Sequence, residues 1–498
     1  MLKMIGRRTT PNLFMGLLLV LLFSPFLVLA IHLPFQLREL SLPARGEVEN
    51  IFFITALQAM ASAVASLILG LLGGFGLMWA LSRCTRKWIF VIEGLILLPN
   101  AAPVLLLLLA MMKLFPWAHG IVGVIVIQSL LNCGLVAVAF ANLVRSKVAR
   151  QAELAWVEGA SGLRFFFQGV LPAVRSELLL LWLFVFAICF ASFAIPLAIG
   201  GSHATTVEVL IYQKIRISGD WGQALGLAFL QMLAIMLLSF FLKNERGTSA
   251  TFRPVATPLL SWAPGLFFAL FPAAILVVGL LSGLLRGYEE LMRMPMLIED
   301  LPRLIAGSVL VGFGSGFVIV ILLLVMAYQP PQGWFAKVWT GYAAPSSVLV
   351  GFSLLILWRS FGFATYLKII LGLGLIAIPS FYRYEWRAVL DSLQGQALIA
   401  QTLGAGPWLI FSKVIYPQVI ARACFIGGMA ALWAWGDFAL SSVLGERTMT
   451  LAMAAQQMMG AYRFDGATFL VWILMLGGLA TFAIFTGAGY VLGSKPQA

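Results

Sequence analysis

Charge is what this sequence has least of. Of its 498 residues, 10% are Asp, Glu, Lys or Arg, against about 25% in an ordinary soluble chain. So few charges cannot clothe a water-exposed globule. Histidine is almost missing. The three that occur stand apart, which argues against a metal cluster. The four cysteines (Cys84, Cys133, Cys189, Cys424) lie scattered in or beside apolar runs, and no pair has the spacing of a disulfide framework or a zinc site. No glycine-rich phosphate loop closing on Gly-Lys-Ser or Gly-Lys-Thr is found, so the chain is not expected to hydrolyse ATP itself. Nor is there a nucleophile elbow. The expectation is a non-enzyme that binds no cofactor of its own.

What is present in excess is apolar surface. Hydrophobic residues make up 61% of the chain and the mean hydropathy is +1.00. Many runs exceed 18 residues with almost no charge, enough to cross a bilayer. The pattern predicts an all-α polytopic membrane protein of about twelve spanning helices. The first six run near 12–32, 51–81, 89–111, 121–143, 177–199 and 222–242. The second six run near 262–284, 304–327, 341–358, 366–382, 423–444 and 467–489. The first run follows Lys3, Arg7 and Arg8 but has no small-residue cleavage pattern, so it reads as an uncleaved helix.

Net charge is +13. With both termini inside, twenty of the 32 basic residues fall in cytoplasmic segments, and most acidic residues fall outside. This is the asymmetry that orients membrane proteins. It accounts for the basic balance without a nucleic-acid partner.

The chain also repeats itself. A shift of 245 residues brings Ala155 onto Ala400, Gly159 onto Gly404, Phe166 onto Phe411, Pro172 onto Pro417, Phe193 onto Phe438 and Asp220 onto Asp465. An upstream Ala-Ala-Pro recurs at 101–103 and 343–345 with a shift of 242. The polar stretch 243–261 reads as a linker between a first half, 1–242, and a second, 262–498. Six helices is an even number, so the halves are parallel repeats with their axis along the membrane normal.

Each half is interrupted by a short amphipathic segment, at 151–175 and 396–420. In the first, a helix ends at Gly159, suited to a left-handed terminus, and Ser161 can cap a second helix. In the second, Gly406-Pro407 takes that place, with Pro at the first helical position. Leu163, Phe166, Phe167 and Val170 make an apolar stripe at helical spacing, largely repeated by Trp408, Phe411 and Ile415. The second helix is expected to end near Pro172 or Pro417. A single such segment reads equally well as a helix lying in the head-group layer. Two on the same face suggest a pair of sockets for a two-fold cytoplasmic partner.

Glu153-Leu154-Ala155, Gly159-Ala160-Ser161 and Leu171-Pro172 resemble the EAA motif of permease subunits of binding-protein-dependent type I ABC importers. The second copy keeps Ala400, Gly404, Ala405 and Pro417 but has Leu398 in place of the glutamate. "SFAIPLAIGGSHATTVEVLIYQ" at 192–213 and "GDFALSSVLG" at 436–445 resemble the fused permeases of the thiamine and iron(III) group. The resemblance implies a twelve-helix fold of two six-helix repeats in a bacterial cytoplasmic membrane. It implies two copies of a separate ATPase subunit, which bind the ATP, and an extracytoplasmic solute-binding protein. Coupling residues would be Glu153, Ala155, Gly159, Ala160, Ser161, Leu163, Phe166 and Pro172, with Ala400, Gly404, Ala405, Pro407, Trp408, Phe411 and Pro417. The lost glutamate predicts unequal coupling, with the first copy dominant.

Two carboxylates fall inside predicted spans. Glu93 sits close to the cytoplasmic end of its helix and can reach the interface. Asp437 lies deeper, and its repeat partner is Ser192. Ser192, Phe193, Asp437 and Phe438 are candidates for the translocation path, although a helix-to-helix hydrogen bond explains Asp437 equally well. A twelve-helix secondary transporter is the alternative. Its major facilitator form would show a Gly-x-x-x-Asp-Arg-like loop where this chain has "SRCTRKW" at 82–88. A non-transporting membrane assembly factor would not need the matched segments. The cargo is not named by the sequence: thiamine and ferric iron lead, with a polyamine or a small anion behind them.

Overall fold

The computed structural model describes residues 42–201, 205–241, 260–330, 347–357, 365–382, 386–445 and 450–493. The expected helix at 12–32, the linker up to residue 259 and the second Ala-Ala-Pro lie outside them. Among the described residues, six helices are long and apolar enough to cross a membrane, and two bent helix pairs add a span each if each pair is one. The chain is a multi-pass, all-α membrane protein.

The first set of elements is α1 (Arg45–Arg83), α2 (Arg86–Ala101), α3 (Val104–Leu114), α4 (Gly120–Lys147) and α5 (Ala149–Val157). It continues with α6 (Gly162–Phe165), a π turn (Phe166–Val170), α7 (Leu171–Phe190), α8 (Ala194–Ile199), α9 (Val207–Arg216) and α10 (Trp221–Phe241). The second set is α11 (Gly265–Leu281), α12 (Leu284–Met292), α13 (Pro295–Tyr328), α14 (Ser347–Leu357), α15 (Thr365–Phe381) and α16 (Arg387–Thr402). Then come α17 (Pro407–Ile410), a second π turn (Phe411–Ile415), α18 (Tyr416–Trp435), α19 (Ala439–Leu444), α20 (Leu451–Gly460) and α21 (Phe464–Leu492). The shift of 245 residues carries α6 onto α17, π turn onto π turn, α7 onto α18 and α8 onto α19 without an offset.

Three expectations need correction. The short second helices do not end at Pro172 and Pro417. Gly162–Phe190 and Pro407–Trp435 are each a continuous run of 29 residues. Each proline falls in the first turn after a π turn. Proline is tolerated at the start of a helical segment, where a missing N–H costs little, and the π turn supplies such a start inside a longer rod. The span expected at 89–111 is broken instead. α2 and α3 meet at 90°, because Pro103 pushes Ala102 out of the helical region, to ψ 151°. The spans expected at 177–199 and 423–444 also break, after Phe190 and Trp435, and each restarts as a six-residue helix.

α1 packs chiefly on α4, α11 and α7, while α13 packs on α18 and α15, and α18 on α21. Two further cores join the sets. In one, α3 and α8 pack against α20 and α21. In the other, α14 and α19 pack against α9 and α10. These are the same pairings with the two sets exchanged, as a pseudo-two-fold arrangement requires. In both, a hydroxyl on a long helix receives a buried amide at the start of a short one: Thr55 from Val207 at 3.1 Å, Ser308 from Leu451 at 2.9 Å.

Two of the four ion pairs among the described residues, Lys147 with Glu177 and Lys113 with Asp465, join different helices and show which of their ends lie together. Lys147 pairs with Glu177, and Arg387 lies 3.9 Å from Asp391. Lys113 lies 2.7 Å from Asp465, and Arg45 2.8 Å from Glu49. Each pair joins residues that the charge pattern places on one side. We call the side carrying Arg145, Lys147, Arg387 and Lys413 the basic end.

Candidate functional site

At the basic end the chain leaves the bundle twice by the same route. α5 ends at Gly159 with φ +75°, and α16 ends at Gly404 with φ +84°. In each case the next amide reaches back five residues, Ala160 to Ala155 at 2.9 Å and Ala405 to Ala400 at 3.1 Å. An added Cβ would meet nothing within 4 Å at either glycine. The requirement for glycine is therefore conformational: a left-handed residue that takes up the carbonyls freed at a helix end.

The restart differs in detail. The Ser161 hydroxyl accepts the Arg164 amide at 3.4 Å, whereas Gly406 leads into Pro407 at the first helical position with no side-chain cap. The π turn also divides the expected stripe. Phe166 packs edge-on against Phe75, which packs edge-on against Phe140, at 5.4 Å in both steps. Val170 and Phe165 are buried as well, while Leu163 and Phe167 stay exposed at 76% and 61%. Phe165 was missed from the sequence because it falls outside a strict helical stripe. In the second loop, Phe411 packs against Tyr328, Trp408 and Tyr416 at 5.3, 5.7 and 6.1 Å. Trp408 remains exposed at its outer edge.

Both loops therefore present apolar side chains away from the bundle. Leu154, Trp156, Val157, Leu163 and Phe167 do so in the first, and Leu398, Ile399, Leu403, Trp408 and Leu409 in the second. Glu153 and Pro172 are exposed, as is Ser161, and Ala155, Ala160, Ala400 and Ala405 are half-buried behind the turns. Apolar patches of this kind mark contact surfaces for a partner or a membrane.

Toward the other end lie the helix breaks. The Asp437 carboxylate accepts the amides of Leu440 and Ser441 at 3.3 and 3.1 Å and the Ser441 hydroxyl at 3.1 Å. It thus caps α19. At the opposite end of α19, Arg216 donates to the carbonyls of Val443 and Gly445. A negative group at the start and a positive group at the end oppose the helix dipole. The equivalent helix α8 has Ser192 and Phe193 before it instead. Phe193 and Phe438 are both buried, in different cores, and the Phe193 ring lies 5.3 Å from that of Tyr212, tilted by 60°. The structure does not bring Ser192 and Asp437 together by a hydrogen bond. Glu93 is half-exposed, with Arg145 as an attracting charge. Sequence reasoning missed Lys113, which also donates to the Ser282 carbonyl and to Thr468 at 3.2 Å.

Among known proteins, the thiamine transport system permease protein ThiP of Salmonella typhimurium is 26% identical over 408 residues, 74% of this chain and 72% of that protein. ThiP of Escherichia coli is 24% identical over 399 residues, with the same coverage. The chain is thus similar to transport-system permeases over about three quarters of its length. A third relative, ThiP of Brucella abortus, is 25% identical over 359 residues, 66% of this chain and 63% of that protein. No family model matches the chain, and no solved structure does.

Proposed function

We propose that the chain is the membrane permease of an ABC importer, with thiamine as its cargo. The observation that carries this reading is the duplicated loop at the basic end. The same glycine turn and the same helix restart occur twice, each offering an exposed apolar face to a partner with two equivalent sites. Two copies of an ATPase meet that requirement. The relatives' names favour thiamine over ferric iron.

On this reading the basic end faces the cytoplasm and both termini lie there. Residues 1–242 and 262–498 form two six-helix halves joined by 243–261. The loops 151–175 and 396–420 carry the ATPase's closure to these halves. A solute-binding protein delivers cargo on the other side. The helix breaks at Ser192–Phe193 and Asp437–Phe438 border the path between the halves. ATP bound by the partner supplies the differential stabilisation that a shift between two states needs.

The test is a mild-detergent pull-down of the tagged chain from its own host, paired with uptake of labelled thiamine. An ATPase subunit that co-purifies, and is lost on Gly159→Asp, supports the reading. Uptake of labelled ferric iron instead of thiamine would keep the permease and change the cargo. A chain that purifies with no ATPase, under conditions that preserve a known complex, would overturn it.

A further inference from the structure

The two sets of helices touch where their helices break. Gly436 closes α18, and an added Cβ there would fall 1.9 Å from the Pro103 Cβ and 2.5 Å from its Cγ. Only glycine fits against that ring. Pro103 itself stands at the 90° break between α2 and α3. One break from each set therefore meets the other directly, with Ala102, Trp435 and Phe438 buried in the same core.

Their depth is fixed by the helices that lead to them. Pro103 stands about 25 Å along the chain from Arg86 at 1.5 Å per residue, and Gly436 about 30 Å from Tyr416. Both Arg86 and Tyr416 belong to the basic end. Trp435, next to Gly436, lies against Gly312 and Gly478, about midway along α13 and α21, so the contact lies near the middle of the membrane, well removed from the basic end. In the last turn of α2, three residues before Pro103, Asn100 is half-buried and its Oδ1 atom is buried without a hydrogen-bond partner. A buried polar atom left unpaired costs free energy, and water that reaches it would pair it.

We propose that Pro103 seated on Gly436 is the external closure of the translocation path, and that parting it exposes Asn100 to the outside. This rests on the permease reading for its purpose, but not for its geometry. The closure is a contact between backbone and ring, with no side chain long enough to adapt. It is therefore sensitive to one carbon atom on either side.

The experiment measures access to position 100. Asn100→Cys is placed in a chain whose Cys84, Cys133, Cys189 and Cys424 are replaced by serine or alanine. Intact cells are treated with a membrane-impermeant maleimide. In the otherwise unaltered chain, labelling is slow. Gly436→Ala drives the ring off its seat and speeds labelling at least tenfold. Pro103→Gly alone, which removes the ring without adding bulk, speeds it by a smaller factor and serves if the first variant fails to reach the membrane. The two together return a methyl group to the gap from the other side and slow labelling again. Equal rates in all four chains, or faster labelling only from the basic side in inverted vesicles, would overturn the closure. ATPase co-purification is scored in parallel. If the labelling pattern holds and no ATPase is found, the closure stands and the importer reading falls.

Discussion

The loops at 151–175 and 396–420 share a backbone and differ in surface. Their turns have the same left-handed glycine, the same five-residue return hydrogen bond and the same π turn. Yet Glu153, Glu158 and Arg164 in the first face Leu398, Leu403 and Leu409 in the second. Phe165 and Val170 anchor the first by burial, and nothing in α17 or its π turn is fully buried. Duplication has kept the shape and let the contact chemistry diverge. A partner with two identical grooves would read two equal shapes with unequal grip.

The largest test of that inequality is the glycine pair. A side chain at φ near +80° costs about 1–2 kcal/mol, but aspartate tolerates this region better than most residues. Gly159→Asp and Gly404→Asp should therefore both leave a folded chain carrying a new carboxylate on the exposed face of the loop. Gly159→Asp is expected to lower thiamine uptake about a hundredfold, equivalent to about 2.8 kcal/mol, and Gly404→Asp about tenfold. A larger loss at Gly404 would reverse the order of the two loops.

Ring contacts, unlike burial, should rank the loops the other way. Phe411 loses three ring partners on truncation and Phe166 loses two. At about 0.5–1.5 kcal/mol per aromatic pair, Phe411→Ala should destabilise by about 3 kcal/mol and Phe166→Ala by about 2. Thermal unfolding in detergent reads this. If stability and uptake fall in the same order across both pairs, anchoring alone explains the asymmetry and the surface charges are irrelevant.

The same comparison can be made at the far ends of these helices. Asp437 caps α19, and Ser192 stands at the equivalent place before α8. Removing a cap costs about 1 kcal/mol, so Asp437→Ala should lower stability by that amount. Asp437→Asn should restore part of it, because its one amide oxygen can replace only one of the two carboxylate oxygens, which accept Leu440 and Ser441 separately. A fall in uptake with Asp437→Asn, at little-changed stability and normal ATPase recovery, would assign the charge to the path. Ser192→Ala should leave stability unchanged.

The sequence already displayed the repeat register, the glycine turns and the membrane class, because glycine, proline and apolar length act locally. What it hid was non-local or ambiguous. Pro172 marks a helix end and a helix start equally well, and only the π turn decides between them. Pro103 closes a Pro99-Asn100-Ala-Ala-Pro stretch within a long apolar run, and because spans tolerate proline that stretch does not by itself announce a right-angled bend. Phe165 is invisible to a helical period that the π turn interrupts. A lone Asp437 in apolar surroundings looks the same whether it faces a path or caps a helix. Lys113 and Asp465 lie far apart in the chain, and no local signal joins them.

The smallest effect separates charge from anchoring. Glu153 is exposed, so Glu153→Leu should change stability by less than about 0.5 kcal/mol. Leu398→Glu should do the same at its exposed site. If the glutamate contributes to docking, Glu153→Leu lowers uptake about threefold, or about 0.7 kcal/mol, and the difference shrinks in high salt, which screens exposed charges. The double exchange decides what the charge is worth in its place. Two identical ATPase grooves meeting two loops would recover full uptake if only the presence of one glutamate mattered. We expect no recovery, because the first loop is held by the fully buried Phe165 and Val170 while the second is held by half-buried ring contacts alone. A charge presented on the looser loop transmits less of the partner's movement, however well it is recognised.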